Sequence, residues 1–129
     1  MWFGLCALLL AGTPGIAVEA EFPFERELLL EIDPLPGSRQ VPSLEVEKNG
    51  SAELDLWCAR AHAQVAVSGQ TITITIVPGA AQTRPCKPDQ ARGDDDLLAA
   101  LTQATRWQRE DDLLILVGPQ TLRFRLSTH

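Results

Sequence analysis

The sequence predicts an α+β domain in which a curved antiparallel β-sheet of about seven to eight strands packs around a single α-helix. Three observations carry this reading. Short runs with a period of two recur from Leu28 to Leu126. The pairs between them, Asn49-Gly50, Ser68-Gly69 and Gly118-Pro119, suit tight turns. A single convincing stretch, 94–106, repeats its leucines at helical spacing.

In chain order, Leu28, Leu30 and Ile32 alternate with Leu29, Glu31 and Asp33, a strand with one buried face, and Pro34, Pro36 and Gly37 break it. The run 41–47 turns Leu44 and Val46 inward and Glu45 and Glu47 outward. Asn49-Gly50 follows, and both residues tolerate positive φ. The run 51–58 returns with Leu54, Leu56 and Cys58 on one face and Glu53, Asp55 and Trp57 on the other. A short strand at 63–67 turns at Ser68-Gly69. The next, 71–76, alternates three threonines with three inward isoleucines, all β-branched. A loop rich in proline and glycine, 78–88, carries Cys86.

The helix is expected over 94–106. Asp94, Asp95 and Asp96 supply an N-cap and favourable charge at its start, and Arg106 suits its end. Leu97, Leu101 and Ala104 form the face that meets the sheet. Trp107 begins a strand, Glu110-Asp111 turns it, and 113–117 follows. After Gly118-Pro119, Leu122, Phe124 and Leu126 face inward, with Arg123 and Arg125 on a solvated face.

The stretch 2–18 is uncharged and ends in Val18-Glu19-Ala20, which fits a secretory cleavage site after residue 20. Cys6 leaves with that segment. Cys58 and Cys86 are then the remaining cysteines, and an oxidising compartment would pair them as a disulfide. The expected location is periplasmic or secreted, with no membrane span after cleavage. With 17 acidic and 11 basic residues the net charge is −6, which favours solubility and opposes nucleic acid as a partner.

Catalytic and metal chemistry find little support. Cys58-x-x-x-His62 with Cys86 supplies three zinc ligands where a structural site needs four, and His129 is terminal. No Ser-His-Asp pattern and no glycine-rich phosphate loop stands out. No cofactor is expected. Alternation places Trp57 beside Glu53 and Asp55 on the outer face, a possible interaction surface.

Pro42-x-Leu44-x-Val46, Asn49-Gly50 and a cysteine strand resemble the first half of the META domain family, which includes the heat-inducible HslJ-type envelope proteins. Thr83-Arg84-Pro85-Cys86, an acidic stretch into Asp96-Leu97-Leu98-x-x-Leu101, Trp107 and Asp112-Leu113-x-Ile115-x-x-Gly118-Pro119-x-x-Leu122-x-Phe124 resemble the C-terminal signature. The family's Gly-Cys-Asn turn is Trp57-Cys58-Ala59 here. The division is therefore a signal peptide (1–20), an N-terminal strand with a proline-rich connection (21–40) and a META-like domain (41–129). The resemblance implies an exported, stress-related, non-enzymatic envelope protein. It would act, as a monomer, by binding an envelope protein or component, or as an accessory component. The alternative is a carrier that holds a small apolar ligand in the hollow between sheet and helix.

Overall fold

The computed structural model describes residues 21–33 and 40–128. The cleavage segment, the break at Pro34, Pro36 and Gly37, and His129 lie outside the described residues.

Eight antiparallel strands follow one another around a closed barrel: β1 (Leu28–Leu30), β2 (Ser43–Val46), β3 (Ser51–Asp55), β4 (Ala59–Ser68), β5 (Thr71–Gln82), β6 (Arg106–Glu110), β7 (Leu113–Val117) and β8 (Leu122–Leu126). One helix, α1 (Pro88–Gln103), joins β5 to β6. The α+β class with one helix holds, and the curvature of the sheet goes as far as closure. β1 completes the ring against β8, with Leu28 opposite Leu126 and Leu30 opposite Phe124. Closure leaves no strand row open along β1 and β8, which removes a site for unwanted pairing.

The inward positions are those the alternation marked. Leu28, Leu44, Val46, Leu54, Ile72, Ile74, Leu122, Phe124 and Leu126 are all buried in one core. Ile32 is the exception: β1 ends at Leu30, the alternation stops, and Ile32 is 47% exposed. Two strands are longer than their apolar runs suggest. β4 starts at Ala59, and β5 continues through Pro78 and Gly79 to Gln82, where a loop was expected. A register shift between Arg60 and His62 absorbs the Pro78–Gly79 irregularity, with Gly79 at φ 104°. At the β2–β3 turn Gly50 has φ 93°, and a Cβ there would stand 2.7 Å from the Val65 carbonyl oxygen, so this site demands glycine.

β5 and β6 meet only at Thr71 and Arg106. The chain leaves the far end of β5, runs through α1 and returns to this seam, where Ile72 N–H donates to Thr105 O and Trp107 N–H to Gln70 O, both at 3.0 Å. α1 starts six residues before its expected position and ends at Gln103, so Arg106 belongs to β6. Its first residue is Pro88, whose fixed φ suits that place. The Gln90 side chain accepts the Lys87 N–H at 3.2 Å. The Asp94 to Asp96 triplet therefore lies within the helix rather than at its cap. Leu97, Ala100, Leu101 and Ala104 are buried against the barrel, Ala104 as the C-cap residue. Leu101 is fully buried. Leu101→Ala is expected to cost about 3 kcal/mol in urea-unfolding experiments; an unchanged midpoint would mean that α1 is not part of the core.

Candidate functional site

Three successive residues, Leu56, Trp57 and Cys58, are buried between β3 and β4. Such a run cannot be a two-faced strand. β3 stops at Asp55, and residues 56–59 form a tight turn in which Leu56 N–H donates to Ala59 O at 2.8 Å. Hence Trp57 does not share an outer face with Glu53 and Asp55. It is 6% exposed and belongs to the core, so the proposed three-residue surface does not exist as drawn. Glu53 and Asp55 do face outward, and each meets an arginine: Glu53 stands 3.9 Å from Arg60, and Asp55 3.3 Å from Arg84.

A buried turn must find partners for its backbone polar groups. Here distant side chains supply them. Asp94, on α1, accepts three N–H bonds: from Trp57 at 2.8 Å and from Cys58 and Ala59 at 3.0 Å each. Arg84 donates to the carbonyls of Leu56 (2.8 Å) and Trp57 (2.9 Å). Thr83 N–H donates to Cys58 O at 2.9 Å, and the Cys58–Cys86 disulfide closes the set with Cα atoms 5.5 Å apart. Burial pushes the Asp94 carboxyl above the usual carboxylate range, and the three N–H donors offset part of that cost. The aspartate that suggested a helix cap instead caps a turn 35 to 37 residues away.

Beside this clamp lies a cavity of about 370 Å³. Its floor is Leu30, Trp57, Leu97 and Leu122; its rim is Ile32, Glu31 and Arg123 on the strand side and Asp89, Arg92 and Asp96 on the helix side. Gly93, on the helix wall, adds no side chain to the opening. Two local costs coincide here. A glycine inside a helix costs about 1 kcal/mol relative to alanine. The buried Trp57 Nε1–H has no hydrogen-bond partner among the described residues, a loss of about 1–3 kcal/mol. Departures from local rules that coincide at one place point to function rather than to packing.

The charges of the rim are mostly paired. Glu31 accepts from Arg123 Nε at 3.1 Å and from Arg125 Nη2 at 2.7 Å, and these two arginines hold its carboxyl below the usual range. The last-strand arginines are thus tied to Glu31, just past the end of β1, rather than free for an acidic partner. Arg92 meets Asp89 at 3.4 Å. Asp96 is exposed and has no ion-pair or hydrogen-bond partner among the described residues. His62 lies on the exposed face of β4, away from the bonded cysteines. Among the described residues no group of three or more His, Cys, Asp or Glu could hold a metal ion.

Trp57→Ala is expected to lower stability by about 2 kcal/mol. That is less than the 3–5 kcal/mol usual for a buried tryptophan, because the change also removes an unpaired N–H and opens onto the cavity. Thermal unfolding checks it; a fold as stable as the parent would return Trp57 to the surface.

The family model described as the META domain matches residues 30–128. The chain belongs to the META domain family. The META fold also appears in solved structures, at identities that speak to fold alone. An NMR structure of a protein from Burkholderia xenovorans is 18% identical with a TM-score of 0.64, covering 92% of this chain and 99% of that one. A second NMR structure is 19% identical with a TM-score of 0.59, covering 79% and 89%. The crystal structure of a DUF4847 family protein from Bacteroides vulgatus is 14% identical with a TM-score of 0.52, covering 68% of this chain and 60% of that one. No curated protein matches the sequence.

The META resemblance rested on residues that the fold now gathers. Thr83, Arg84 and Cys86 of the C-terminal signature, with Asp94 of the acidic stretch, all act on one turn. In that turn Trp57 and Ala59 replace the family's glycine and asparagine, and the indole of Trp57 becomes the cavity floor. Asp94 was hidden from sequence reading because its partners are backbone groups, which leave no residue pattern. Gly93 is not marked by the sequence reading, because the expected helix begins one residue after it, at Asp94, whereas α1 already runs from Pro88.

Proposed function

We propose that this META protein is exported to the periplasm or beyond and acts by binding rather than by catalysis, and that the cavity beside α1 is where it binds. The observation that carries this reading is the cavity of about 370 Å³, which falls within the size range of small-molecule sites and has an apolar floor and a charged rim. It lies between helix and sheet, where the carrier alternative requires a hollow. The reading based on a protein partner loses its aromatic anchor, because Trp57 is buried. The Cys58–Cys86 disulfide and the META family support an oxidising, exported setting. Among the described residues no helix is long and apolar enough to cross a membrane.

The test is to express the full chain, fractionate the cells, sequence the N-terminus and record a native mass spectrum of the released protein. The expected result is a periplasmic chain starting at Glu21, oxidised, and carrying an added small-molecule mass that Gly93→Leu removes. A cytoplasmic, uncleaved chain would contradict export. A bare protein would favour an accessory domain without a ligand.

A further inference from the structure

We infer that the cavity beside α1 selects a small apolar molecule bearing a positive charge, such as a hydrophobic amine; the inference rests on the binding role proposed above. Size and floor set the apolar part. Leu30, Trp57, Leu97 and Leu122 offer a continuous nonpolar bed, and the exposed Ile32 extends it at the rim. The indole of Trp57 adds an aromatic surface, which attracts cations as well as apolar groups.

The charge follows from pairing. Both lining cations are already matched, Arg123 by Glu31 at 3.1 Å and Arg92 by Asp89 at 3.4 Å. An incoming anion would share its arginine with a carboxylate already beside it. Asp96 is the lining carboxylate that no described residue matches, and it is exposed. A ligand cation at the rim would complete it while its apolar body lies on the floor. The Trp57 ring, more than nine-tenths buried, is held in place beneath that site.

Isothermal titration of the oxidised protein tests this with three probes of one chain length: octyltrimethylammonium and octyl sulfate, each below its micelle-forming concentration, and octanol below its solubility limit. The expected order is ammonium tightest and sulfate weakest. Asp96→Asn should weaken the ammonium by about two- to fivefold, the scale of a partly exposed ion pair, and leave octanol unchanged. Asp95→Asn makes the same charge change at a position that does not line the cavity and should move neither probe. Sulfate binding as tightly as ammonium, or an unaltered ammonium affinity in Asp96→Asn, would overturn the cation preference while leaving the binding site in place. If no probe binds, or if Gly93→Leu binds all three as the parent does, the site itself is overturned, and the cation preference with it.

Discussion

Asp94→Ala is expected to destabilise the protein by about 5 kcal/mol, a drop in melting temperature on the order of 20–30 °C for a domain of this size. The carboxylate is buried, and its three acceptor bonds are the ones made to the N–H groups of Trp57, Cys58 and Ala59. Alanine would leave three inward donors without partners. Each buried donor left unmade costs about 1–3 kcal/mol, and partial relaxation keeps the total below the full sum. Asparagine retains one acceptor oxygen and turns an amide group toward the remaining donors, so Asp94→Asn should lose about half as much. Urea unfolding of both variants measures this. A loss below about 1 kcal/mol for alanine would mean that water or a rearranged turn satisfies the three N–H groups.

Replacing Cys58 and Cys86 together by alanine is expected to cost about 3–4 kcal/mol, the chain-entropy value for a cross-link across 28 residues of sequence. Unlike the effect at Asp94, this one should vanish in reducing conditions, where parent and variant converge. Calorimetry with and without a thiol reductant makes the comparison. If reduction leaves the parent's melting temperature unchanged, the cross-link adds nothing to stability. If the oxidised protein carries two titratable thiols, the cross-link is absent.

Much of the barrel was legible because period-two burial is a local property. Leu44 and Val46, Ile72 and Ile74, and Leu122, Phe124 and Leu126 were placed inward by alternation alone, and all are buried. The errors have physical causes. Alternation carried beyond Asp55 points Trp57 outward, but β3 ends there and a buried turn takes over. Three aspartates resemble a helix cap more than Lys87-Pro88 does, yet α1 starts at Pro88, and proline at the first helical position is itself a start signal. Barrel closure was not legible, since pairing of β1 with β8 joins residues nearly the whole domain apart. The disulfide was readable from cysteine count and compartment. The cavity was not, because its walls come from β1, the 56–59 turn, α1 and the approach to β8.

Neighbouring helix residues divide the work between stability and binding. Asp94 reaches the turn and holds the scaffold, while Gly93 and Asp96 border the cavity. The META signature residues Thr83, Arg84 and Cys86 fall with Asp94 on the scaffold side. Substitutions at these four positions should therefore act on folding first, and on binding only through it.

Asp94, Thr83, Arg84 and the Cys58–Cys86 disulfide act as one clamp on the 56–59 turn. The test is a double-mutant cycle between Asp94→Asn and the paired replacement of Cys58 and Cys86 by alanine, read by urea unfolding. Once either tie is cut, the turn is already loosened and the other tie has less to hold. The combined variant is therefore predicted to lose about 1–2 kcal/mol less than the sum of the two separate losses. Losses that add to within about 0.5 kcal/mol would show two independent fastenings and contradict the clamp.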